Sequence, residues 1–595
     1  ISYSKIMKKL LFYFLTLSLL LTVSYACKDK DDPITEKGTL ESATYNHTTK
    51  SFTLTYSSGQ NETVNAVIDD TSDTPTAIAT LTDGTIVYVS NASVSGNATI
   101  SKEINVVSQF VYDGLSTYYF WADEVQSKTP KITDVNPGNY FYKILNSTDT
   151  QHGWSWITDD VDALLAGFEG QSLSFGYDLG FTMLNNVVYA YIKYVYAGTP
   201  AEKAGLKRLD LIGKLNGQLI RTEQRNGNNY ISSADVDLLY GNNAVKFTIY
   251  QYSGSQIVQD KEVTITPDNS AKDPVLYENI YQIGTKKIGY LFYTDFYDNY
   301  NNRLYEVFSK FKQNGVTDLV LDLRYNTGGT VSSAIYLASM IAPRTNVENK
   351  EPFVVMNYNN LLNTSFDKWY NDAKPEDKYK YDRKDYLGVY NSVKDQNPLN
   401  ANLNLNKVYI IATGNSYSAS ELTTFCLEPY MDVVHIGGNT GGKYTASWTI
   451  HGYDSFEDNE GNSRAIPLYD ETKLTSTEKI QLKNWAMQPI VAMYANKNGD
   501  SFDNPGYLKP DPDCEMNEGF GLLSNWTPLG DTKFVFLGQA LYLISGDENY
   551  KPVQTRYTQA LTENIAIRGS EDGKPVIIEN KLTADDFQKI RELRK

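Results

Sequence analysis

Ile410-Ile411-Ala412-Thr413-Gly414-Asn415-Ser416-Tyr417-Ser418-Ala419-Ser420-Glu421-Leu422 runs from an apolar stretch through a Gly-Asn turn into a helix start. Lys407 to Thr413 is apolar at nearly every position, as expected of a parallel strand buried on both faces. Thr317 to Leu323 is a second such run and Val433 to Ile436 a third. Buried strands spaced by helical stretches predict an α/β layer. Ser418 then stands where strand gives way to helix. Helix N-termini leave amides without intrahelical acceptors, so a hydroxyl there sits beside free N–H donors.

Element lengths say what returns to that edge. A helix of about twelve residues after Ser418 descends about 18 Å at ~1.5 Å per residue. The strand Val433 to Gly437 climbs back about 17 Å at ~3.3 Å per residue. The loop that follows therefore comes back to Ser418, and Lys443 lies in it. A lysine whose pKa is lowered by burial serves as general base for a serine. Gly437-Gly438 and Gly441-Gly442 let backbone pack closely around its stem. The strand Thr317 to Leu323 ends in Arg324-Tyr325-Asn326-Thr327-Gly328-Gly329, a glycine turn at the same edge. One amide of that turn, with that of Ala419, is expected to form an oxyanion hole.

The chain has 595 residues, too many for one core, which predicts three or four domains. Apolar residues make up 41 % and charged residues 21 %, ordinary globular usage. The net charge of −17 argues against nucleic acid as a partner, because phosphate binding needs clustered basic residues. At the start, Lys8-Lys9, an apolar run from Leu10 to Val23 and Ser24-Tyr25-Ala26-Cys27 describe a secretory signal over residues 1–27, with Met7 as initiator. The run is shorter than the roughly 20 residues that span a bilayer. Ala26-Cys27 resembles a lipobox, with Ser24 where leucine is usual. This implies lipidation at Cys27 and a membrane anchor. Lys28-Asp29-Lys30-Asp31-Asp32 resembles the export signal of Bacteroidetes-type lipoproteins and reads equally well as a solvated tether. Either way the expected location is the cell envelope, on the periplasmic side or at the cell surface of the outer membrane.

Residues 28–103 read as a tether and a small β domain, from the alternation in Ser51 to Tyr56 and Thr85 to Ser90. Val107, Phe110, Val111, Leu115 and Tyr118 then mark a helix face, and residues 104–168 read as a helical N-terminal segment. Over 169–270, Leu179-Gly180-Phe181 is followed by a strand and by Gly198-Thr199-Pro200-Ala201-Glu202-Lys203-Ala204-Gly205-Leu206, a short helix begun at Pro200 and stopped at Gly205. This stretch resembles a PDZ domain. The resemblance implies a peptide bound as an added strand, its carboxylate held by amides at a Leu179-Gly180-Phe181 turn. Residues 271–560 read as the α/β domain, with a Tyr-rich insertion at 345–403 as a separate lobe, and 561–595 as a polar tail.

Asp322-Leu323-Arg324-x-Asn326-x-Gly328-Gly329, then Ser418-Ala419-Ser420-Glu421, then Gly442-Lys443 resembles the C-terminal processing peptidases, or tail-specific proteases. The resemblance covers about residues 104–547. It implies a multidomain α/β protein whose core is crotonase-like, with a PDZ domain ahead of it, acting on polypeptide substrates without a cofactor or metal. Carried over residue by residue, Ser418 is the nucleophile, Lys443 the base, and Gly328 and Ala419 the oxyanion donors. The family pattern has glutamine four residues after the lysine. This chain has Ser447, which leaves the third catalytic member open. Ser420 competes with Ser418 for the role of nucleophile.

Other readings carry less. His435 lies within a strand and reads as a core histidine, whereas His451, eight residues beyond Lys443, is an alternative base. His47, His152, His435 and His451 are too far apart in sequence to suggest a metal pair. Cys426 reads as packing, and a disulfide to Cys514 stays open. Asp322 and Arg324 read as an ion pair positioning the glycine turn. The alternative function is a catalytically inactive, peptide-binding surface lipoprotein of the same fold. A sugar-binding surface protein is suggested only by the 46 tyrosines.

Overall fold

The computed structural model describes residues 37–70, 75–169, 173–184, 186–225, 228–253, 256–457, 463–518, 527–552, 576–577 and 581–593. The signal-like stretch and Cys27 lie outside the described residues. The chain divides into two compact units, with the boundary after Lys102. In the first, Leu40–Asn46, Ser51–Tyr56 and Asn61–Asn65 pair antiparallel, and a second four-stranded sheet includes Thr76–Thr80 and Ile86–Val89. Alternating side chains such as Tyr45, Phe52, Leu54, Ala77 and Val87 close its core.

The second unit is built on a five-stranded sheet ordered Val275–Ile283, Lys286–Tyr293, Asp318–Asp322, Lys407–Ala412, Asp432–Gly437. The first pair is antiparallel and the remaining pairs are parallel. Leu319 and Leu321 face one core, beneath the helices Asn301–Gln313, Val331–Ile341 and Ala419–Leu427. Val320, Ile411 and Ile436 face the other, beneath the helix Val535–Ser545. Burial on both faces is why these strands are apolar at every position rather than at alternate ones.

Beside it lies a second sheet, ordered Lys384–Tyr386, Pro352–Tyr358, Ile490–Asn496, Thr445–Ser447, Val576–Ile577. Two boundaries drawn from sequence change here. The insertion 345–403 is not a separate lobe: Pro352–Tyr358 pairs with Ile490–Asn496, and Leu362 and Phe366 enter the main core. The helical segment packs onto that same core, where Val107, Phe110, Val111 and Leu115 bury their face and Trp156–Thr158 pairs with Ala486–Gln488. The described residues 581–593 do not form a polar tail. The helix Ala584–Leu593 docks through Phe587 and Ile590, joined by Leu582.

Residues 173–268 form an antiparallel six-stranded sheet around their own core, which includes Phe175, Ala201, Leu206, Leu239 and Phe247. The helices Pro200–Lys203 and Ser233–Tyr240 pack on it. Leu179, Gly180 and Phe181 do not form a turn, contrary to the sequence reading. They lie inside the strand Tyr177–Leu184, paired with Val187–Val195. The bend comes earlier, at Gly176 with φ +88°. Gly180 instead makes room for the Tyr191 ring, which a Cβ would meet at 2.1 Å.

Candidate active site

Ser418 caps the helix Ala419–Leu427 with φ +61° and ψ −112°. A non-glycine residue held there carries strain of order 1–3 kcal/mol, which the surrounding structure must impose. Four groups impose it. The Tyr417 amide and the Ser420 hydroxyl donate to the Asn326 carbonyl at 3.1 and 2.8 Å. The Ser418 amide donates to Glu421 Oε2 at 2.8 Å, and the Tyr494 hydroxyl donates to the Ser418 carbonyl at 3.3 Å. Ser418 Oγ is left buried and without a hydrogen-bond partner. Ser420 is thereby excluded as an equivalent, since its hydroxyl fastens the glycine turn.

Lys443 reaches the same place. Its amide also donates to Glu421 Oε2 at 2.8 Å, the Gly442 amide donates to Oε1 at 2.7 Å, and the Tyr494 hydroxyl donates to the Lys443 carbonyl at 3.0 Å. One carboxylate oxygen thus holds the amides of Ser418 and Lys443 no more than twice 2.8 Å apart. The glycines permit the approach: a Cβ on Gly441 would meet the Tyr417 ring at 2.1 Å, and one on Gly442, at φ +86°, the Gly506 carbonyl at 2.4 Å. Ser418 and Lys443 are 0 % and 1 % exposed. Burial pushes the Glu421 carboxyl pKa up, while donors from Thr440, Lys443, Ser418 and Gly442 act against it.

The glycine turn arrives as expected, but its amide is engaged. Gly328 N–H donates to Asn326 Oδ1 at 2.9 Å, so in this conformation it is not directed at an oxyanion position. Ala419 is the first helical residue, a position whose amide has no intrahelical acceptor. The turn is braced from beneath. Asp322 and Glu518 flank the buried Arg324 guanidinium at 3.1 and 3.2 Å, and Tyr325 donates to Glu518 at 2.7 Å. Burial disfavours the Arg324 charge, but Asp322, Tyr290 and Glu518 more than offset this, so the guanidinium keeps its proton. Arg208, in the turn before the strand Leu211–Leu215, reaches Glu518 at 3.6 Å and the Tyr325 hydroxyl at 3.3 Å.

Ser447 ends the strand Thr445–Ser447, and its buried Oγ makes no hydrogen bond. Neither histidine near the sheet serves Ser418. His435 contacts the carbonyls of Lys509 at 2.9 Å and Ala412 at 3.3 Å. His451 Nε2 contacts the Lys483 carbonyl at 2.9 Å, and its Nδ1 accepts from the Tyr453 and Asp454 amides. Burial holds both below the usual histidine pKa. Cys426 and Cys514 are free thiols in cores on opposite faces of the parallel sheet, so they do not pair. Among the described residues, no group of three His, Cys, Asp or Glu is placed to hold a metal ion.

Sequence reasoning gave Glu421 and Tyr494 no role. Glu421 had a signal, the Ser-x-x-Glu spacing of a capping box. Tyr494 had none, because its work is done across the fold.

Residues 287–511 match the model for peptidase family S41, and residues 107–156 match the peptidase S41 N-terminal domain. Over these residues the chain is similar to peptidase family S41. It is 28 % identical over 142 residues to a Staphylococcus saprophyticus protein named "Probable CtpA-like serine protease", a match covering 24 % of this chain and 26 % of that protein. A Staphylococcus aureus (strain COL) protein of the same name is 27 % identical over 143 residues, with the same coverage. The chain thus spans about a quarter of the length of the curated relatives it matches. A solved structure of an S41 protease candidate from Bacteroides fragilis is 26 % identical, with a TM-score of 0.53, and covers 73 % of this chain and 97 % of that one. The S41 model spans both Ser418 and Lys443, and the likeness in fold extends well beyond it.

Proposed function

We propose that this protein is a serine endopeptidase of family S41 cutting unfolded or C-terminally exposed polypeptides through an acyl-enzyme, with Ser418 as nucleophile and Lys443 as general base. One observation carries the reading: a strained serine with an unbonded hydroxyl shares a carboxylate oxygen with the amide of a buried lysine. Ser418 Oγ attacks the scissile carbonyl carbon as its proton passes to Lys443 Nζ. The ammonium then protonates the leaving amine, and water, deprotonated by the same lysine, releases the acyl group. Ala419 supplies one oxyanion donor, and Gly328 supplies the second once its amide leaves Asn326.

In this reading residues 173–268 are a PDZ domain, and the peptide adds to the outer edge of the strand Tyr177–Leu184. The core is crotonase-like, and Cys27 anchors the enzyme by lipid to the outer membrane, on its periplasmic side or at the cell surface. The expected result is that wild type degrades casein and Ser418→Ala, equally folded, does not; equal degradation by both rejects the mechanism. The engagement of Gly328 with Asn326 favours a second reading, an inactive peptide binder of the same fold. That reading predicts no turnover of any unfolded protein by wild type.

A further inference from the structure

Ser447 Oγ makes no hydrogen bond, so it does not hold the Lys443 amine in this structure. A buried ammonium far from any opposite charge is strongly disfavoured, so the carboxylates near Lys443 bear on its charge. Glu421 is one, fastened to the Ser418, Gly442 and Lys443 backbone amides. The other comes from the N-terminal helices. The Trp154 ring meets the Tyr444 ring edge-on at 5.3 Å, next to Lys443. Ser155 Oγ accepts the Ile490 amide at 2.8 Å, and Ile490 lies opposite Ser447 in the sheet. Asp149 secures that segment. Its carboxylate accepts from the Ser155 amide at 2.8 Å, Ser155 Oγ at 2.5 Å and the Tyr119 hydroxyl at 2.7 Å. Asp149 is 0 % exposed. Burial raises its pKa, and the charge on Lys443 is among the groups pulling it back.

We propose that Asp149 is the counter-charge of Lys443, a positioning residue that holds the amine towards Ser418 and stabilises the ammonium formed during proton transfer. The inference rests on the peptidase reading. In the step it assists, the Ser418 O–H bond breaks, an N–H bond forms on Lys443, and the Oγ electron pair goes to the carbonyl carbon. Positive charge appears on Lys443 in a site shut off from water, where a fixed carboxylate acts most strongly. The other ionisable groups packed around the pair are Tyr119 from the N-terminal helices, Tyr444 beside the lysine, Tyr494 from the neighbouring strand and Glu421 from the nucleophile helix. Glu124, bonded to Asn146, and His152, stacked on Trp154, lie further out.

A carboxylate favours the ammonium and so raises the lysine pKa, and activity needing the free amine rises as pH passes that value. Asp149→Asn is therefore expected to lower kcat roughly 10- to 100-fold with KM within about 2-fold, and to move the acidic limb of kcat/KM down by about one pH unit. Asp149→Glu should return the limb towards its original position. A fall in kcat and Tm with the limb unmoved would make Asp149 a structural residue only and overturn the proposal. A second readout needs no turnover: the pH titration of the Lys443 Cε signal in 13C-labelled Ser418→Ala protein, assigned by its loss in Lys443→Met. Adding Asp149→Asn should lower that midpoint by about one unit, and an unchanged midpoint overturns the proposal. If wild type cuts nothing while the midpoint still shifts, the peptidase reading fails and the Asp149–Lys443 coupling stands.

Discussion

Glu421 fastens two segments of chain with one carboxylate, and the division of labour among neighbouring hydroxyls follows from it. Ser416 Oγ donates to the Leu323 carbonyl at 2.7 Å and Ser420 Oγ to the Asn326 carbonyl at 2.8 Å, so both hold the glycine turn against the helix start. Ser418 alone of the three has an unbonded Oγ, on a backbone at positive φ. Removing the Ser420 hydroxyl should therefore act as the loss of one buried hydrogen bond, about 1 kcal/mol. Ser420→Ala is expected to lower unfolding free energy by that amount and to keep activity within about ten-fold of wild type. Denaturant titration and casein turnover check both, and a Ser420→Ala enzyme as dead as Ser418→Ala would reassign the nucleophile.

At the scale of elements, much was legible because burial on two faces writes itself into sequence. Thr317 to Leu323, Lys407 to Thr413 and Val433 to Ile436 read as strands, and Asp318–Asp322, Lys407–Ala412 and Asp432–Gly437 are strands. The helix after Ser418 is nine residues rather than about twelve, yet Lys443 still returns to its N-terminus, since the loop takes up the difference. What sequence concealed depends on partners far along the chain. Asp149 and Tyr494 belong to no periodic pattern that points at Ser418. The C-terminal helix was hidden because Phe587 and Ile590 stand in a run of charged residues, and only the core they enter gives them meaning.

That helix is tied down by a carboxylate as well. Burial acts to raise the Asp586 pKa, but hydrogen bonds from the Tyr381 hydroxyl, the Thr583 amide and hydroxyl, and Lys589 outweigh it and hold it at about 2. A pKa below the unfolded value of about 3.9 stabilises the fold above that pH, and the contribution is lost as pH falls through about 2. Screened in part by solvent, this makes Asp586→Asn cost about 1 kcal/mol at pH 7 and progressively less between about pH 4 and pH 2. Thermal melts across that range test this, and a difference independent of pH would contradict it.

Across the whole molecule, elements from distant parts of the chain converge on the reacting edge. The parallel sheet delivers the glycine turn and Ser418, the loop into the second sheet delivers Lys443, that sheet delivers Tyr494, and the N-terminal segment docks alongside through Trp154 and Ser155. Residues 173–268 touch the turn from outside through Arg208, which reaches Tyr325 and Glu518. The edge is closed, with Ser418 and Lys443 almost wholly buried, so a polypeptide reaches them only after some segment moves. The most direct measurement is therefore chemical: react the protein with a fluorophosphonate and locate the adduct by mass spectrometry. The account predicts one adduct, on Ser418, formed by wild type and by Ser420→Ala but not by Lys443→Met at neutral pH. An adduct on another residue, or one formed as fast without Lys443, would contradict it.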